Sequence, residues 1–487
     1  MNTQVGVVDI IRITPLIILF LLSLVPITVK VLRGNREQAP VATLIQGLLG
    51  IGLSFLTLVF IVGSPKETAF LNALVFDGVT LWVGGAALVG AAMSVMLMYD
   101  NLSTNGEQFS ELMFLTLSSV LGMLILVAAA DLLTVFIGLE TMSLALYLMI
   151  GMSHEQKLSK EAALKYFILG ALASAIFLYG VSFIYGTVGS TFIPAIIEAT
   201  DSLADSNRMF LFGMALVIIG FCFKVSIVPF HAWTPDVYQG APTPHTAYMS
   251  TAIKAVSFAA LLRIIETKTL VKSENLFVLL QWLAVITMIV GNVAAIIQNN
   301  LKRVLAYSSV AHSGYLLVGI ITSGHSDQVI FGASGVIFYL ISYTLMTIGA
   351  FAVVSYVEKN ENHSIQVEDL AGYAKKKPAV AFALTLFLLS LAGVPPTVGF
   401  FGKFYLFTSA IGEGLLWLAI WGVLNSVISV YYYLRPIVMM YMKDGSAELS
   451  EESRIPTMIT IGTAAVLVVL FGIISGPIYS LIEKALS

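Results

Sequence analysis

Residues 208–232 read RMFLFGMALVIIGFCFKVSIVPFHA. The run has the ~20 apolar residues that a helix needs to cross a hydrocarbon core about 30 Å thick. Yet Lys224 and Pro229 lie inside it. A lysine near the centre of a spanning helix costs at least ~2.5–3.5 kcal/mol on insertion scales. Proline removes a backbone donor and clashes one turn back, and unwound backbone at membrane depth is tolerated only where protein or a hydrated cavity surrounds it. The plain reading is a packing kink. The sharper one is an interrupted helix on an ion route.

The rest of the chain agrees with a membrane setting. Of 487 residues, 58% belong to the set AVILMFWYC and only 11% are charged, against ~25% charged in a soluble domain. So few charges cannot cover a soluble surface, which excludes soluble enzymes. The net charge of −3 gives no field for nucleic acid. Cys222 is the only cysteine, so there is no disulfide framework and no thiolate-bound cluster. Neither a dinucleotide fingerprint nor an ATP-binding loop occurs. His154, His231, His245, His312, His325 and His363 are scattered singly, which argues against a metal site.

Apolar runs of spanning length predict fourteen transmembrane helices, at about 11–31, 42–62, 79–99, 112–130, 132–152, 161–187, 208–232, 243–266, 275–297, 302–323, 328–357, 378–412, 414–440 and 456–482. The runs are too long and too uniformly apolar for barrel strands. The first is not a signal peptide, since no small-residue cleavage site follows it and thirteen more runs do. The expected fold is an all-α polytopic membrane protein forming one transmembrane domain over 1–487. Of the 25 Lys and Arg residues, twice as many fall in the loops of one side as in those of the other. The positive-inside rule then puts both termini outside.

An internal duplication is also expected. YLxxG occurs at 147–151 and again at 315–319, and the same offset carries Pro229 to within one residue of Pro396. The copies would be segments 4–8 (112–266) and 9–13 (275–440). Five is odd, so the second is inverted in the membrane. Its interrupted helix is LAGVPPTVGFFGKF (391–404), with Pro395 and Pro396 at the break.

Four charges resist a bland account. Glu140 and Lys254 lie about ten residues from a membrane face, or roughly 15 Å at 1.5 Å per residue, which is near the midplane. Lys224 and Lys403 flank the two breaks. His312 lies at similar depth and is either a hydrogen-bonded polar residue or part of the same row. His231 either satisfies backbone freed at Pro229 or supports the relay. Lys165 can snorkel or assist, His245 opens a segment as a boundary residue, and Asp131 occupies a tight turn facing water. The row suits proton transfer: burial disfavours charge, a nearby opposite charge restores it, and histidine or water bridges the gaps.

GLETMSLALYLMIG (138–151), EAALKYFILGALASAIFLYG (161–180), FKVSIVPFHAWTPDVYQGAPTP (223–244), NLKRVLAYSSVAHSGYLLVG (300–319) and LAGVPPTVGFFGKF together resemble the antiporter-like membrane subunits of respiratory complex I, the proton-pumping NADH:quinone oxidoreductase. The resemblance implies that Glu140 and Lys224 form a pair gating a half-channel, that Lys254 links them onward and that Lys403 serves the exit side. His312 falls on a recurring family position, whereas His245 departs from the usual small apolar residue. Lys403 stands where one branch of the family has glutamate, and the chain stops at Ser487 without the long helical extension of another, which favours the branch having neither feature. The resemblance further implies a bacterial inner-membrane location and partners among the membrane and peripheral subunits of the complex. Flavin, iron–sulfur clusters, NADH and quinone would be bound elsewhere in that assembly, with no cofactor on this chain. Two other classes are a subunit of a multisubunit Na⁺/H⁺ antiporter and a purely structural scaffold.

Overall fold

The computed structural model describes residues 6–62, 67–101, 108–152, 157–203, 207–265, 273–323, 329–358, 364–445, 449 and 454–486. His154, His325 and His363 lie outside them. A short helix α1 (Val7–Arg12) precedes the first spans, α2 (Thr14–Leu32), α3 (Pro40–Ile61), α4 (Gly78–Asp100), α5 (Phe109–Ala128), α6 (Leu132–Gly151) and α7 (Lys157–Val188). After α8 (Ile193–Leu203) come the two pieces α9 (Arg208–Lys224) and α10 (Trp233–Gly240). The helix α11 (Thr243–Ile264) follows, with a π-helical turn at Met249–Ile253. The second half contains α12 (Glu274–Ile296), α13 (Leu301–Thr322), α14 (Val329–Val357), the two pieces α15 (Pro378–Ala392) and α16 (Val398–Gly412), then α17 (Leu416–Met442), α18 (Ile455–Ile473) and α19 (Ser475–Leu486).

Twelve helices among the described residues are long and apolar enough to cross a membrane. The other two expected segments, 208–232 and 378–412, are the interrupted ones, each in two shorter pieces. Side chains start and stop the helices where the sequence turns polar. Asp77 caps α4 by accepting from Thr80 N, Asp131 caps α6 by accepting from Leu133 N, and Asn300 caps α13 by accepting from Arg303 N.

Burial ranks the helices. The most apolar windows of α11, α13 and α14 are 94%, 94% and 100% buried, against 28% for α2 and for α3. The polar hydroxyls and lysines of α11 and α13 are therefore shielded by other helices, while α2 and α3 face outward. Close packing has a local cause. A Cβ on Gly122 of α5 would lie 2.5 Å from Met142 N of α6, and one on Gly291 of α12 would lie 2.5 Å from Ala311 N of α13. Each half thus brings two consecutive spans into backbone contact through a glycine.

The two breaks share a layout. α9 ends at Lys224, Ser226 takes φ 63°, and the Val228–Pro229 bond is cis. α15 ends at Ala392, Gly393 takes φ 89°, and the Pro395–Pro396 bond is cis. Freed backbone groups find partners nearby. Trp233 Nε1 donates to Phe223 O at 2.9 Å, and Gly399 N donates to Ser390 Oγ at 3.2 Å.

One expectation needs correction. The last run, 456–482, is not one helix: it breaks at Ile474, between the end of α18 and Ser475, Gly476 and Pro477, which open α19. α19 is amphipathic, burying Ile478, Tyr479 and Ile482. The described residues also contain one antiparallel hairpin, β1 (Glu67–Ala69) with β2 (Leu74–Phe76), too short to read from its sequence.

Candidate functional site

The site begins on α6, where Glu140 and Ser143 are one turn apart and share a face. Ser174 of α7 donates to Glu140 Oε1. Lys224 Nζ donates to Ser143 Oγ at 2.6 Å and to Tyr166 OH at 3.1 Å. The same ammonium stands 5.2 Å from the Tyr166 ring centroid and 6.0 Å from that of Tyr147. Glu140 and Lys224 are therefore neighbours without a direct ion pair. A cavity of about 20 Å³ lies among Ser143, Ser174 and Lys224, enough for roughly one water. Ser174, on the acid, and Ser143, on the base, both border that space.

Lys254 follows the π-helical turn of α11 and is 3% exposed. Its Nζ donates to Ser309 O and, at 2.6 Å, to Ser309 Oγ, and it lies 5.3 Å from the Tyr343 ring centroid. Ser313, one turn further along α13, donates to Ser309 O at 3.1 Å and to Val225 O at 2.5 Å. Val225 is the residue after Lys224. A hydrogen-bonded chain thus joins the first break to Lys254 through α13.

The same helix carries the row onward. His312 Nδ1 is 2.5 Å from Tyr339 OH and its Nε2 is 3.0 Å from Tyr433 OH. Tyr433 in turn shares a hydrogen bond with Ser308. Lys403 Nζ lies 4.9 Å from the Tyr315 ring centroid, donating to Ala392 O at 3.0 Å and to Ser426 Oγ at 2.9 Å. Ser308, Ser309, His312, Ser313 and Tyr315 recur at helical spacing, so α13 is the spine of the row.

Each break sets an outer lysine beside a helix end. Lys224 closes α9, and the Lys403 amine reaches back to the last carbonyl of α15. The C-terminus of a helix carries roughly half a negative charge, so the Lys403 ammonium faces the negative end of a half-helix, whereas the Lys224 ammonium leaves the end of α9 for Ser143 and Tyr166.

Glu140, Lys224, Lys254, His312 and Lys403 are brought into one connected array. Lys165 is not part of it. Its side chain is 43% exposed and pairs with Glu161 at 2.7 Å and Asp236 at 2.9 Å, while Asp236 also meets Arg303 at 3.0 Å. His231 lies within the break, its Nδ1 buried without a partner. His245 is not a boundary residue: it is 2% exposed and both ring nitrogens lack a partner. Asp131 caps α6 and accepts from Thr191. Sequence reasoning missed Ser143, Ser309, Ser313 and Ser426, and the tyrosines 166, 339 and 433. The spacing in SSVAHSGY (308–315) carried the signal for α13, but nothing marked the tyrosines. Among the described residues no group of His, Cys, Asp or Glu is placed to hold a metal ion, and Cys222 is buried.

A helical bundle with two interrupted spans and a buried lysine row defines a class, the antiporter-like ion-translocation subunits. The family described as NADH:quinone oxidoreductase/Mrp antiporter matches residues 129–429. NADH-quinone oxidoreductase subunit N of Bdellovibrio bacteriovorus is 65% identical over the whole of both chains. That of Trichlorobacter lovleyi is 43% identical, over 90% of this chain and 88% of its own. A chain of respiratory complex I from Thermus thermophilus superposes with TM-score 0.81 at 31% identity, covering 96% of this chain and 99% of that one. A chain of the Mrp complex from Dietzia also reaches 0.81, at 20% identity and 96% of each chain, a likeness of fold alone. The chain belongs to the NADH:quinone oxidoreductase/Mrp antiporter transmembrane family, within the subunit N group.

Proposed function

We propose that this chain is a proton-translocating membrane subunit of NADH:quinone oxidoreductase, moving protons along Glu140, Lys224, Lys254, His312 and Lys403. The observation that carries the proposal is the row itself. Three lysines are held in the bundle by hydroxyls, carbonyls and tyrosine rings, joined by one helix, with the single carboxylate Glu140 at one end. An opposite charge nearby favours the charged form of a group and burial disfavours it. Moving Glu140 toward or away from Lys224 across Ser143 therefore sets whether that amine holds a proton. Ser313 and Ser309 connect the change to Lys254, and His312, with a hydroxyl on each ring nitrogen, bridges toward Lys403. His231 lies beside the first break as a supporting group. Lys165 lies at its edge and acts by holding Asp236.

The matching breaks and glycine contacts support an inverted pair of five-helix units, 112–266 and 275–440. Both termini lie on the outer side by the loop charges, in a bacterial inner membrane. The chain works among the other membrane and peripheral subunits, which carry the flavin, iron–sulfur and quinone chemistry. The sodium-antiporter reading rests on fold likeness at 20% identity and is set aside. Glu140→Gln and Lys224→Ala should each allow assembly while NADH-driven proton uptake in inverted membranes falls. The double variant should be little worse than either single one, because members of one unit are not additive. Simple addition of the two losses, or uptake that depends on sodium, would sink the proposal.

A further inference from the structure

A second buried acid–base cluster lies away from the row, at the face where α11, α13 and α18 begin and α4 and α14 end. Glu358 directly follows α14 and is 5% exposed, and Lys302 in the first turn of α13 is 4% exposed. They are not a tight pair, for Lys302 Nζ is 3.7 Å from Glu358 Oε1. The lysine donors go to Ala241 O at 3.0 Å and Thr243 Oγ1 at 3.2 Å. Glu358 Oε2 accepts from Thr243 Oγ1 at 2.6 Å. Arg454 donates to the Glu358 backbone carbonyl at 3.3 Å. A buried carboxylate is ordinarily compensated by several close donors, and this one has one close hydroxyl and the looser Lys302 ammonium. Burial pushes its carboxyl above the ordinary carboxylate range, against the pull of Lys302, Thr243 and Arg454.

Two residues past Thr243 on the same helix stands His245, buried and with neither ring nitrogen paired. An unsatisfied buried polar atom is costly to keep, and those kept in a folded protein call for a function or an ordered water. From His245 the helix passes through its π-turn, a feature frequent at functional sites, to Lys254. The axial distance is roughly 13 Å at 1.5 Å per residue.

We propose that Glu358, Thr243 and His245 form a proton entry route from this face of the membrane to Lys254. The carboxylate of Glu358 takes a proton from water and becomes the acid, positioned by Thr243. It passes the proton to one ring nitrogen of His245. The imidazolium releases the proton on its other nitrogen into water that carries it on to Lys254, whose neutral amine becomes the ammonium. Lys302 keeps the carboxylate in place without binding it tightly enough to hold its charge. The inference rests on the relay proposed for Lys254.

The competing account is that Lys302 and Glu358 clamp three helix ends. Replacing a buried ion pair by neutral side chains is often harmless to stability, so the double variant Lys302→Met/Glu358→Gln separates the accounts. In membranes with the assembled complex, checked by native gel, its NADH-driven proton uptake should fall at least threefold. Glu358→Asp should keep more than half. His245→Phe, which fills the space without a titratable group, should lose uptake like the double variant, and His245→Gly should recover part of it when imidazole is added. Full uptake in both the double variant and His245→Phe, with Lys254→Met defective, would overturn the entry route and leave the relay standing. Full uptake in Lys254→Met as well would overturn both. If the double variant does not assemble, His245→Phe decides alone.

Discussion

Replacing Lys403 tests whether a side chain in the row must change its charge. Its ammonium makes two charge-assisted hydrogen bonds, to Ala392 O and Ser426 Oγ, and faces the Tyr315 ring. Such bonds contribute about 1.5–3 kcal/mol each, so Lys403→Met removes roughly 3–6 kcal/mol of contacts. Against this, burying an ammonium costs several kcal/mol, a cost the methionine avoids. The two nearly cancel, and the complex should assemble. Transport should not survive. A proton with no carrier at this depth meets a penalty of about 3 kcal/mol or more, which slows passage about 100-fold. Lys403→Arg decides the matter, because guanidinium stays protonated and keeps a fixed positive charge. It should resemble methionine, whereas Lys403→Glu should retain part of the activity. Proton uptake in inverted membranes energised by NADH is the assay, normalised to assembled complex on native gels. Full uptake in Lys403→Arg would show that a static charge suffices, and the relay would then end elsewhere.

Gly122→Leu and Gly291→Leu should each prevent assembly, because the added carbons meet backbone at 2.5 Å; a normal native-gel band for either would show that the helix pairs can separate. Arg263 pairs with Asp77 through two contacts, of 2.8 and 2.5 Å, and Arg263→Gln should destabilise the complex by about 3–5 kcal/mol by stranding a buried charge. Burial pushes the Asp77 carboxyl up, but Arg263 and Thr80 outweigh it and hold it below the ordinary carboxylate range. The stability this gives is present above the unfolded value and is lost as pH falls through the lowered one. In Arg263→Gln acid melting should therefore begin at higher pH, as thermal scans of the purified complex would reveal. A periplasmic reporter fused after Ser487 should be active, and a cytoplasmic signal would reverse the topology.

The spans were legible because one physical demand, a long apolar stretch, is written in every one of them. The breaks were legible because Pro229 and Pro396 contradict that demand. Lys224, Lys254 and Lys403 stood out for the same reason. What holds them was not legible, since Ser143 and Ser426 look like ordinary helix residues until another helix is laid against them. His245 was misread because it sits two residues from the predicted start of its segment at 243, a place that faces water only if the preceding piece, α10, lies outside the bundle. Instead α10 is packed inside, with Trp233, Val237 and Tyr238 buried, and its neighbours are buried with it. The split between α18 and α19 was hidden by the apolar residues on both sides of Gly476.

The placement of the Lys403 ammonium at the end of a half-helix has a consequence for regulation. A carboxylate partner would itself titrate, so its attraction for an ammonium would fade in acid. The partial charge at a helix end belongs to peptide dipoles and has no proton to gain. Acidification of either compartment leaves that attraction untouched. While the amine keeps its proton, displacement alone, by shifting the amine along its tether or the half-helix beneath it, can weaken it. The grip on Lys403 is thus a mechanical latch rather than a chemical one: it answers to the motion of α15 and α16, and the pH difference that the machine builds up does not loosen it.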